Sequence, residues 1–144
     1  MAGGLYASAW SCARYPLRVA SRHGIGRRVL VVDDEPQVRA TVIEALELEG
    51  YAVTEATNGQ EALALLASSD PEVIVLDLWM PVMDGWAFRR AQLTSHPHIP
   101  VIVLSALDLS SERLLELRAN ALIGKPFDLD VLYGAVHDVL PKRD

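Results

Sequence analysis

The chain has 144 residues, of which 51% are hydrophobic, and its apolar runs are too short to span a membrane, so we predict a soluble globular domain with a tail. The single cysteine, Cys12, excludes an internal disulfide and suits a reducing compartment, so we expect a cytoplasmic protein. Five of the 13 basic side chains lie in the first 28 residues, so residues 29–144 carry 8 basic against 19 acidic side chains. Their net charge of −11 disfavours direct nucleic-acid binding. It could attract a divalent cation or a basic partner.

Residues 1–27 show neither a helical nor a strand period and contain scattered Gly, Ser and Arg. They lack the cationic start and apolar core of a secretory signal, although their acid-free composition superficially resembles an organellar transit peptide. We predict that residues 1–27 are a disordered or non-native N-terminal extension and that the folded domain occupies residues 28–144.

Regular structure is predicted to begin at residues 28–34 (RVLVVDD), an apolar run that ends in two carboxylates, Asp33 and Asp34. Pro36 suits the first turn of a helix, and Gly50 is a typical C-terminal cap. Between them, apolar residues recur at helical spacing: Val38, Val42, Ala45 and Leu46.

A second apolar run, residues 73–77 (VIVLD), ends in Asp77 and suits a strand buried on both faces of a parallel sheet. The other predicted strands are 51–56, 101–105 and 121–124. The other predicted helices are one that follows Asn58-Gly59, with Ala62, Leu65 and Leu66 inward, and those at about 84–93, 109–119 and 128–140. A strand is thus followed by a helix five times. This alternation predicts an α/β fold with a five-stranded parallel sheet, right-handed crossovers and helices on both faces.

Polar side chains end four of these strands: Asp33 with Asp34, Asp77, Ser105 and Lys125. Each has an ordinary explanation alone, because acid pairs are usually solvated and a serine at a strand end often caps a helix. In a parallel sheet, however, all of these strand ends emerge at the same edge, where open α/β sheets place their chemistry. We therefore expect the five side chains to form one site.

The motifs at these strand ends resemble those of the receiver domain of two-component response regulators, the family that includes the chemotaxis regulators. The residues that carry the resemblance are 31–36 (VVDDEP), 76–85 (LDLWMPVMDG), Ser105-Ala106 and 125–127 (KPF). The resemblance covers about residues 28–140 and implies a doubly wound, flavodoxin-like (βα)5 fold with strand order 2-1-3-4-5. It identifies residues 28–144 as a receiver domain.

The resemblance also implies a metal site and a phosphoacceptor. Asp77 would be the phosphoacceptor, and Asp33 and Asp34 would hold Mg²⁺ together with Asp77 and the backbone carbonyl of Trp79. Close carboxylates repel one another by about 4 kcal/mol per pair at an effective dielectric constant near 20, so a cation is expected among them. Mg²⁺ prefers oxygen ligands.

The remaining implied roles concern the phosphoryl group and the partners. Ser105 would bind a phosphoryl oxygen, and Lys125 would pair with the phosphoryl group. The donor would be a sensor histidine kinase or a phosphotransfer protein. Phosphorylation would switch the face formed by the last two helices and the strand between them, through which a homodimer or an effector protein could bind. No direct nucleic-acid binding, membrane association or enzymatic activity beyond self-catalysed phosphorylation and dephosphorylation is implied.

The sequence departs from the family pattern at several positions. Leu122 stands where the family usually has an aromatic residue that couples phosphorylation to the output face. The interval from Ser105 to Lys125 is about two residues shorter than usual, so we expect the fourth helix to be displaced or shortened. Trp79 and Leu107 are bulky and apolar beside the phosphoryl site, so we expect phospho-Asp77 to hydrolyse slowly.

Two alternatives remain at this point. Phosphatases and mutases of the haloacid dehalogenase type also use a strand-end Asp, Mg²⁺ and a Lys, but they need a second Asp two residues on, where this chain has Trp79. A degenerate receiver that acts as a phosphorylation-independent interaction or dimerisation module is the other alternative. Leu122 and the short loop favour it, whereas the complete set of phosphorylation residues does not.

Overall fold

The computed structural model describes residues 24–105 and 110–141. Within these residues strands and helices alternate in chain order: β1 (Arg28–Val32), α1 (Pro36–Leu48), β2 (Ala52–Ala56), α2 (Gly59–Ser69), β3 (Val73–Asp77), α3 (Gly85–Ser95), β4 (Val101–Ser105), α4 (Ser111–Leu117), β5 (Ala121–Gly124) and α5 (Leu129–Val139).

The five strands form one parallel sheet in the order β2-β1-β3-β4-β5. All five residues of β3 and of β4 are buried, as their continuous apolar runs predicted, because helices cover both faces of the sheet. β2 lies at one edge and only Ala56 in it is buried. The predicted fold class and strand order are confirmed.

Side chains from alternate positions of the strands enter two separate cores, one on each face of the sheet. One core contains Leu30, Ile74 and Leu76 and is closed by residues of α2 and α3, among them Phe88. The other contains the intervening strand residues and the apolar stripes of α1 and α5: Val29, Val31, Val42, Leu46, Val73, Val75, Leu132 and Val136.

Residues 24–27, which precede β1, are packed against the domain. A Cβ atom at Gly24 would lie within 2.6 Å of the Tyr51 ring, so the ring and the backbone are in close contact. Arg27 is 7% exposed, and its Nε donates to Glu72 Oε2 at 2.9 Å. The packed part of the described chain therefore begins before the boundary that we predicted at Arg28, while residues 1–23 lie outside the described residues.

α4 is shorter than the predicted helix over residues 109–119, because it ends at Leu117. Arg118 adopts a left-handed conformation with φ of 50° and terminates the helix. Two residues later, the Asn120 N–H donates to the Val101 carbonyl at 2.9 Å, and the Val101 N–H donates to Asn120 Oδ1 at 2.9 Å. The chain thus pairs with β4 almost directly after the helix, which leaves no room for a longer one.

No helix within residues 24–105 and 110–141 combines the length and the hydropathy that crossing a bilayer requires.

Candidate functional site

The strand registers bring the predicted site residues to one edge of the sheet. β1 ends at Val32, directly before Asp33, and Asp77 is the last residue of β3. Ser105 ends β4 and pairs in register with Gly124, the last residue of β5. Lys125 follows, and its backbone N–H donates to the Ser105 carbonyl at 2.8 Å.

Three carboxylates form the centre of the site. One oxygen from each of Asp33, Asp34 and Asp77 lies within 4.8 Å of the other two. Asp33 is 2% exposed and Asp77 is 6% exposed, whereas Asp34 is exposed to solvent. Ionised carboxylates this close repel, and an all-oxygen donor set of this kind fits a hard divalent cation.

Lys125 supplies the positive charge of the site. Its Nζ lies 3.1 Å from Asp33 Oδ2 and 3.5 Å from Asp77 Oδ1. Partial burial of Lys125 acts to lower its pKa, but the combined charges of Asp33 and Asp77 outweigh burial and raise this pKa above its usual 10.5. Lys125 is therefore a fixed cation at neutral pH.

The surroundings of Asp77 disfavour its charged form. Burial, and next the negative charge of Asp33, raise the pKa of Asp77 from its usual 3.8 to about 6, although the charge of Lys125 acts to lower it. Asp77 is thus mainly ionised at neutral pH but sits close to its titration range. A cation bound by the cluster would favour the ionised form.

Asp33 is held by two hydrogen bonds, one from the N-cap residue of α1 and one from within α1. Asp33 Oδ1 accepts a hydrogen bond from the Glu35 N–H at 2.9 Å, and Arg39 Nη1 donates to the Asp33 carbonyl at 2.7 Å. Arg39 Nε also donates to Glu55 Oε1 at 2.8 Å, so this side chain bridges the end of β1 and β2. Arg39 was not predicted as a site residue, because it looks like an ordinary solvated position in an amphipathic helix.

The loop between β3 and α3 is tightly folded against Asp77. The Gly85 N–H donates to the Leu78 carbonyl at 2.9 Å, and a Cβ at Gly85 would lie 2.6 Å from the Asp77 carbonyl oxygen. Asp84 caps α3 by accepting from the Ala87 N–H at 2.9 Å. Glycine is required at residue 85 because the loop backbone passes so close.

Other predicted positions have different outcomes. Ser105 is 3% exposed and lies at the predicted edge, and Leu122 is 45% exposed on β5. Trp79 is 50% exposed, and its carbonyl as a metal ligand stays a prediction. Ala106 and Leu107 lie outside the described residues.

The three carboxylates, Ser105 and Lys125 converge at one edge of the sheet. This arrangement does not favour the alternative of a degenerate, phosphorylation-independent receiver.

Two residues that contact the site's neighbours were missed by the sequence analysis. The Trp86 ring centroid lies 4.9 Å from that of Trp79, and the Arg113 guanidinium carbon lies 4.3 Å from the Trp86 ring centroid. Trp86 directly follows the segment 76–85 that carries the family resemblance, so its place near this loop could have been inferred from the sequence. The contact with Arg113 depends on how α4 packs and had no sequence signal.

Comparisons with known proteins agree with this geometry. The family model for the response regulator receiver domain matches residues 29–137. Response regulator MprA of Mycolicibacterium vanbaalenii is 40% identical over 115 residues, which cover 78% of this chain and 50% of that protein. The chain therefore spans about half the length of this curated relative.

Solved structures with the same fold include the following two proteins. Chemotaxis protein CheY4 of Vibrio cholerae is 33% identical with a TM-score of 0.73, and the match covers 79% of this chain and 98% of that one. Response regulator TrrA of Thermotoga maritima, solved in complex with Mg²⁺-BeF, is 32% identical with a TM-score of 0.73 over 79% of this chain and 99% of that one. With its strand order, its strand-end cluster and the family match over most of its length, this chain belongs to the response regulator receiver domain family.

Proposed function

We propose that Asp77 accepts a phosphoryl group from the phosphohistidine of a sensor histidine kinase or a phosphotransfer protein, with Mg²⁺ as the cofactor. The observation that carries this proposal is the position of Lys125 Nζ, which lies within 3.5 Å of both Asp33 and Asp77 in a cluster of three carboxylates. A lone strand-end carboxylate would not need a cation and two further acids around it.

The proposed reaction is a displacement at phosphorus. An Asp77 carboxylate oxygen forms the new O–P bond, and the N–P bond of the donor breaks with its electron pair remaining on the imidazole nitrogen, which then takes a proton from solvent. The nucleophile must be ionised, and a pKa of about 6 leaves most Asp77 carboxylates ionised at neutral pH.

Two residues stabilise charge on the transferred group in this proposal. Lys125 pairs with a phosphoryl oxygen, since its ammonium is held within reach of Asp77 by its contact with Asp33. Ser105 lies on the neighbouring strand at the same edge, and its hydroxyl can donate to another phosphoryl oxygen. Both residues act as preorganised donors and neither changes covalently.

The side chains of Asp33, Asp34 and Asp77 and the backbone carbonyl of Trp79 would hold the metal. When bound, a divalent cation supplies the positive charge that offsets repulsion between an anionic carboxylate and an anionic phosphoryl group. Asp34 is the exposed member of the set and so is reachable from solvent.

The proposed output face consists of α4, β5 and α5. It presents one exposed apolar side chain from each element: Leu115 at 76%, Leu122 at 45% and Val131 at 51% exposure. A homodimer or an effector protein would cover these residues.

We propose that this domain acts as a switch rather than as an enzyme with a separate substrate. We also propose that it does not itself bind nucleic acid, because residues 29–144 carry 8 basic against 19 acidic side chains.

The proposal is tested by the intact mass of the chain after incubation with acetyl phosphate and Mg²⁺. We expect the parent to gain one phosphoryl group, and we expect no gain in Asp77→Asn, in Lys125→Gln or after chelation of the metal. Asp70→Asn is the matched control, because the Asp70 side chain is 77% exposed and lies at the other end of the sheet, in the turn before β3. A gain that persists in Asp77→Asn, or a folded parent that gains nothing, contradicts the proposal.

A further inference from the structure

Two tryptophans in contact with each other follow the phosphoacceptor strand. Trp79 follows Asp77 by two residues and is half exposed, whereas Trp86, in the first turn of α3, is only 5% exposed. The two ring centroids are 4.9 Å apart and the ring planes meet at 68°, an edge-to-face arrangement that aromatic pairs favour. The exposed ring of Trp79 is therefore oriented by a buried neighbour.

The other ring contact of Trp86 comes from α4. The guanidinium carbon of Arg113 lies 4.3 Å from the Trp86 ring centroid, within the range of a cation–π interaction. Trp86 Nε1 is buried and has no hydrogen-bond acceptor within residues 24–105 and 110–141, so no polar contact in this part of the chain fixes the ring. Its position depends on apolar packing, on Trp79 and on Arg113.

These ring contacts connect the loop that follows the phosphoacceptor strand with α4, an element of the proposed output face. Arg113 belongs to α4, Trp86 belongs to α3, and Trp79 lies in the loop that leaves the phosphoacceptor strand. This connection does not pass through Leu122, where the resemblance leads one to expect an aromatic residue and where this chain has an aliphatic side chain.

We infer that Trp86 and Arg113 are positioning residues for Trp79, and that the position of α4 thereby sets how readily water reaches phospho-Asp77. This inference rests on the proposed phosphorylation of Asp77. Because coupling between two sites is reciprocal in free energy, a phosphoryl group on Asp77 would in turn bias the position of α4. The aromatic pair would then couple the site to the output face in this chain.

Other contacts between α3 and α4 provide the control. Arg90 Nη1 lies 3.5 Å from Glu116 Oε2 in an exposed ion pair that joins the same two helices, and Arg113 Nε lies 3.8 Å from Oε1 of the same carboxylate. Arg90→Gln therefore removes one ion pair of Glu116, which contributes little at this exposure, and keeps the contact of Arg113 with the Trp86 ring. Arg113→Lys keeps a cation near Trp86, whereas Arg113→Gln removes it.

The experiment measures the decay of phosphorylated protein by intact mass after acetyl phosphate is removed. Loss of one cation–π contact is expected to accelerate hydrolysis about threefold in Arg113→Gln. Arg113→Lys should restore most of the parent lifetime, and Arg90→Gln should decay like the parent. A role in general stability alone would not separate these variants in this way.

A double-mutant cycle with Trp79→Ala identifies the residue through which Arg113 acts. Trp79→Ala should itself accelerate hydrolysis, and adding Arg113→Gln should then have no further effect. Equal acceleration by Arg113→Gln with and without Trp79, an unchanged lifetime in folded Arg113→Gln, or an unchanged lifetime in Trp79→Ala would each overturn the inference. A parent that takes up no phosphoryl group would instead refute the proposed function, and this inference with it.

Discussion

At Asp77, burial and the neighbouring carboxylate of Asp33 act in the same direction, because both disfavour the ionised form. The side chain that is proposed to react is therefore held in a state of higher energy than a solvated aspartate. Lys125 offsets part of this cost, and a bound cation would offset more. In the metal-free protein, the part of this free-energy cost that Lys125 does not offset should make the stability of the fold depend on pH.

The pH prediction compares the parent with Asp77→Asn in the presence of a chelator. Because the pKa of Asp77 is raised from 3.8 to about 6 on folding, its protonated form stabilises the folded state at low pH, and this contribution is lost as the pH rises through 6. We expect the free energy of unfolding of the parent to fall by about 2 kcal/mol relative to Asp77→Asn between about pH 4 and about pH 7.

Urea denaturation at several pH values measures this difference. Addition of Mg²⁺ near pH 7 should restore the stability of the parent and leave Asp77→Asn almost unchanged, since a ligand that binds only the folded state stabilises it. A difference between the two proteins that does not vary with pH would contradict the assignment of a raised pKa to Asp77.

Val82 is a second residue whose folded conformation is locally unfavourable in free energy. It has φ of 70° although it is β-branched, and it is 76% exposed in the loop between β3 and α3. β-branched residues are strained in this conformation, whereas glycine adopts it freely. Val82→Gly should therefore raise the free energy of unfolding by about 1 kcal/mol, because little packing is lost at so exposed a position.

Val82→Ala serves as the control, because alanine keeps the Cβ atom that makes a positive φ unfavourable. Its stability in urea should stay closer to the parent than that of Val82→Gly. If Val82→Gly is as stable as the parent or less stable, the loop is not strained at this residue.

At the scale of elements, α3 contacts both the end of β3 at Asp77 and the C-terminal end of α4. Its N-terminal end lies against the carbonyl of Asp77, and its first turn carries Trp86. Farther along, Arg89 is 4% exposed and donates through Nε to the Leu117 carbonyl at 2.8 Å and through Nη2 to the Arg118 carbonyl at 2.6 Å. The C-terminal end of α4 is thus held by a buried cation, in keeping with its negative helix-dipole end.

The approach of α3 to Asp77 is tested with two glycines. Gly85→Ala would place a Cβ 2.6 Å from the Asp77 carbonyl oxygen and 2.7 Å from Leu78 Cα, and backbone atoms cannot easily move aside. We expect it to lower the free energy of unfolding by about 2 kcal/mol. Gly134→Ala lies in the interior of α5, and within residues 24–105 and 110–141 its new Cβ would meet no atom within 4 Å outside the adjoining turns of its own helix. We expect it instead to stabilise the protein by about 0.5–1 kcal/mol.

Thermal or urea unfolding of both variants measures these changes in the free energy of unfolding. Similar changes in the two variants would mean that helix propensity alone determines the effect and that α3 does not approach Asp77 this closely.

The attachment of α4 is tested at neighbouring arginines. Arg89→Met leaves the carbonyls of Leu117 and Arg118 without their charged donor, so we expect a loss of about 2 kcal/mol in the free energy of unfolding and faster amide exchange in α4. Arg90→Gln removes only an exposed ion pair and should change the stability by less than about 0.5 kcal/mol.

Hydrogen exchange followed by mass spectrometry resolves the two effects along the chain. If Arg90→Gln speeds exchange in α4 as much as Arg89→Met does, the buried cation is not what holds this helix.

At the scale of the whole molecule, the sheet gathers residues that are far apart in sequence. Asp33 and Lys125 are 92 positions apart and are joined by a hydrogen bond of 3.1 Å. This much could be predicted from the sequence, because apolar runs that end in polar residues mark strand ends, and a parallel sheet brings all of those ends to one edge. The strand order came from the family resemblance rather than from the periodicity.

Features that depend on packing across elements could not be predicted. The cation–π contact between Arg113 and Trp86 and the hydrogen bonds of Arg89 join side chains of α3 to α4. Both arginines look like solvated positions in a helical pattern, and nothing in the local sequence gives the angle at which the helices meet. The packing of Gly24 on Tyr51 was missed for the same reason, since a short segment without periodicity has no signal of its own.

The most direct test of the central claim is to locate the phosphoryl group. An acyl phosphate on an aspartate is reduced by borohydride to homoserine, so peptide sequencing by mass spectrometry identifies the modified residue among the three clustered carboxylates. After treatment with acetyl phosphate and Mg²⁺, we predict homoserine at residue 77 and unmodified aspartates at residues 33 and 34. Homoserine at either of those two positions, or at none of the three in folded protein, would contradict the assignment of Asp77 as the phosphoacceptor.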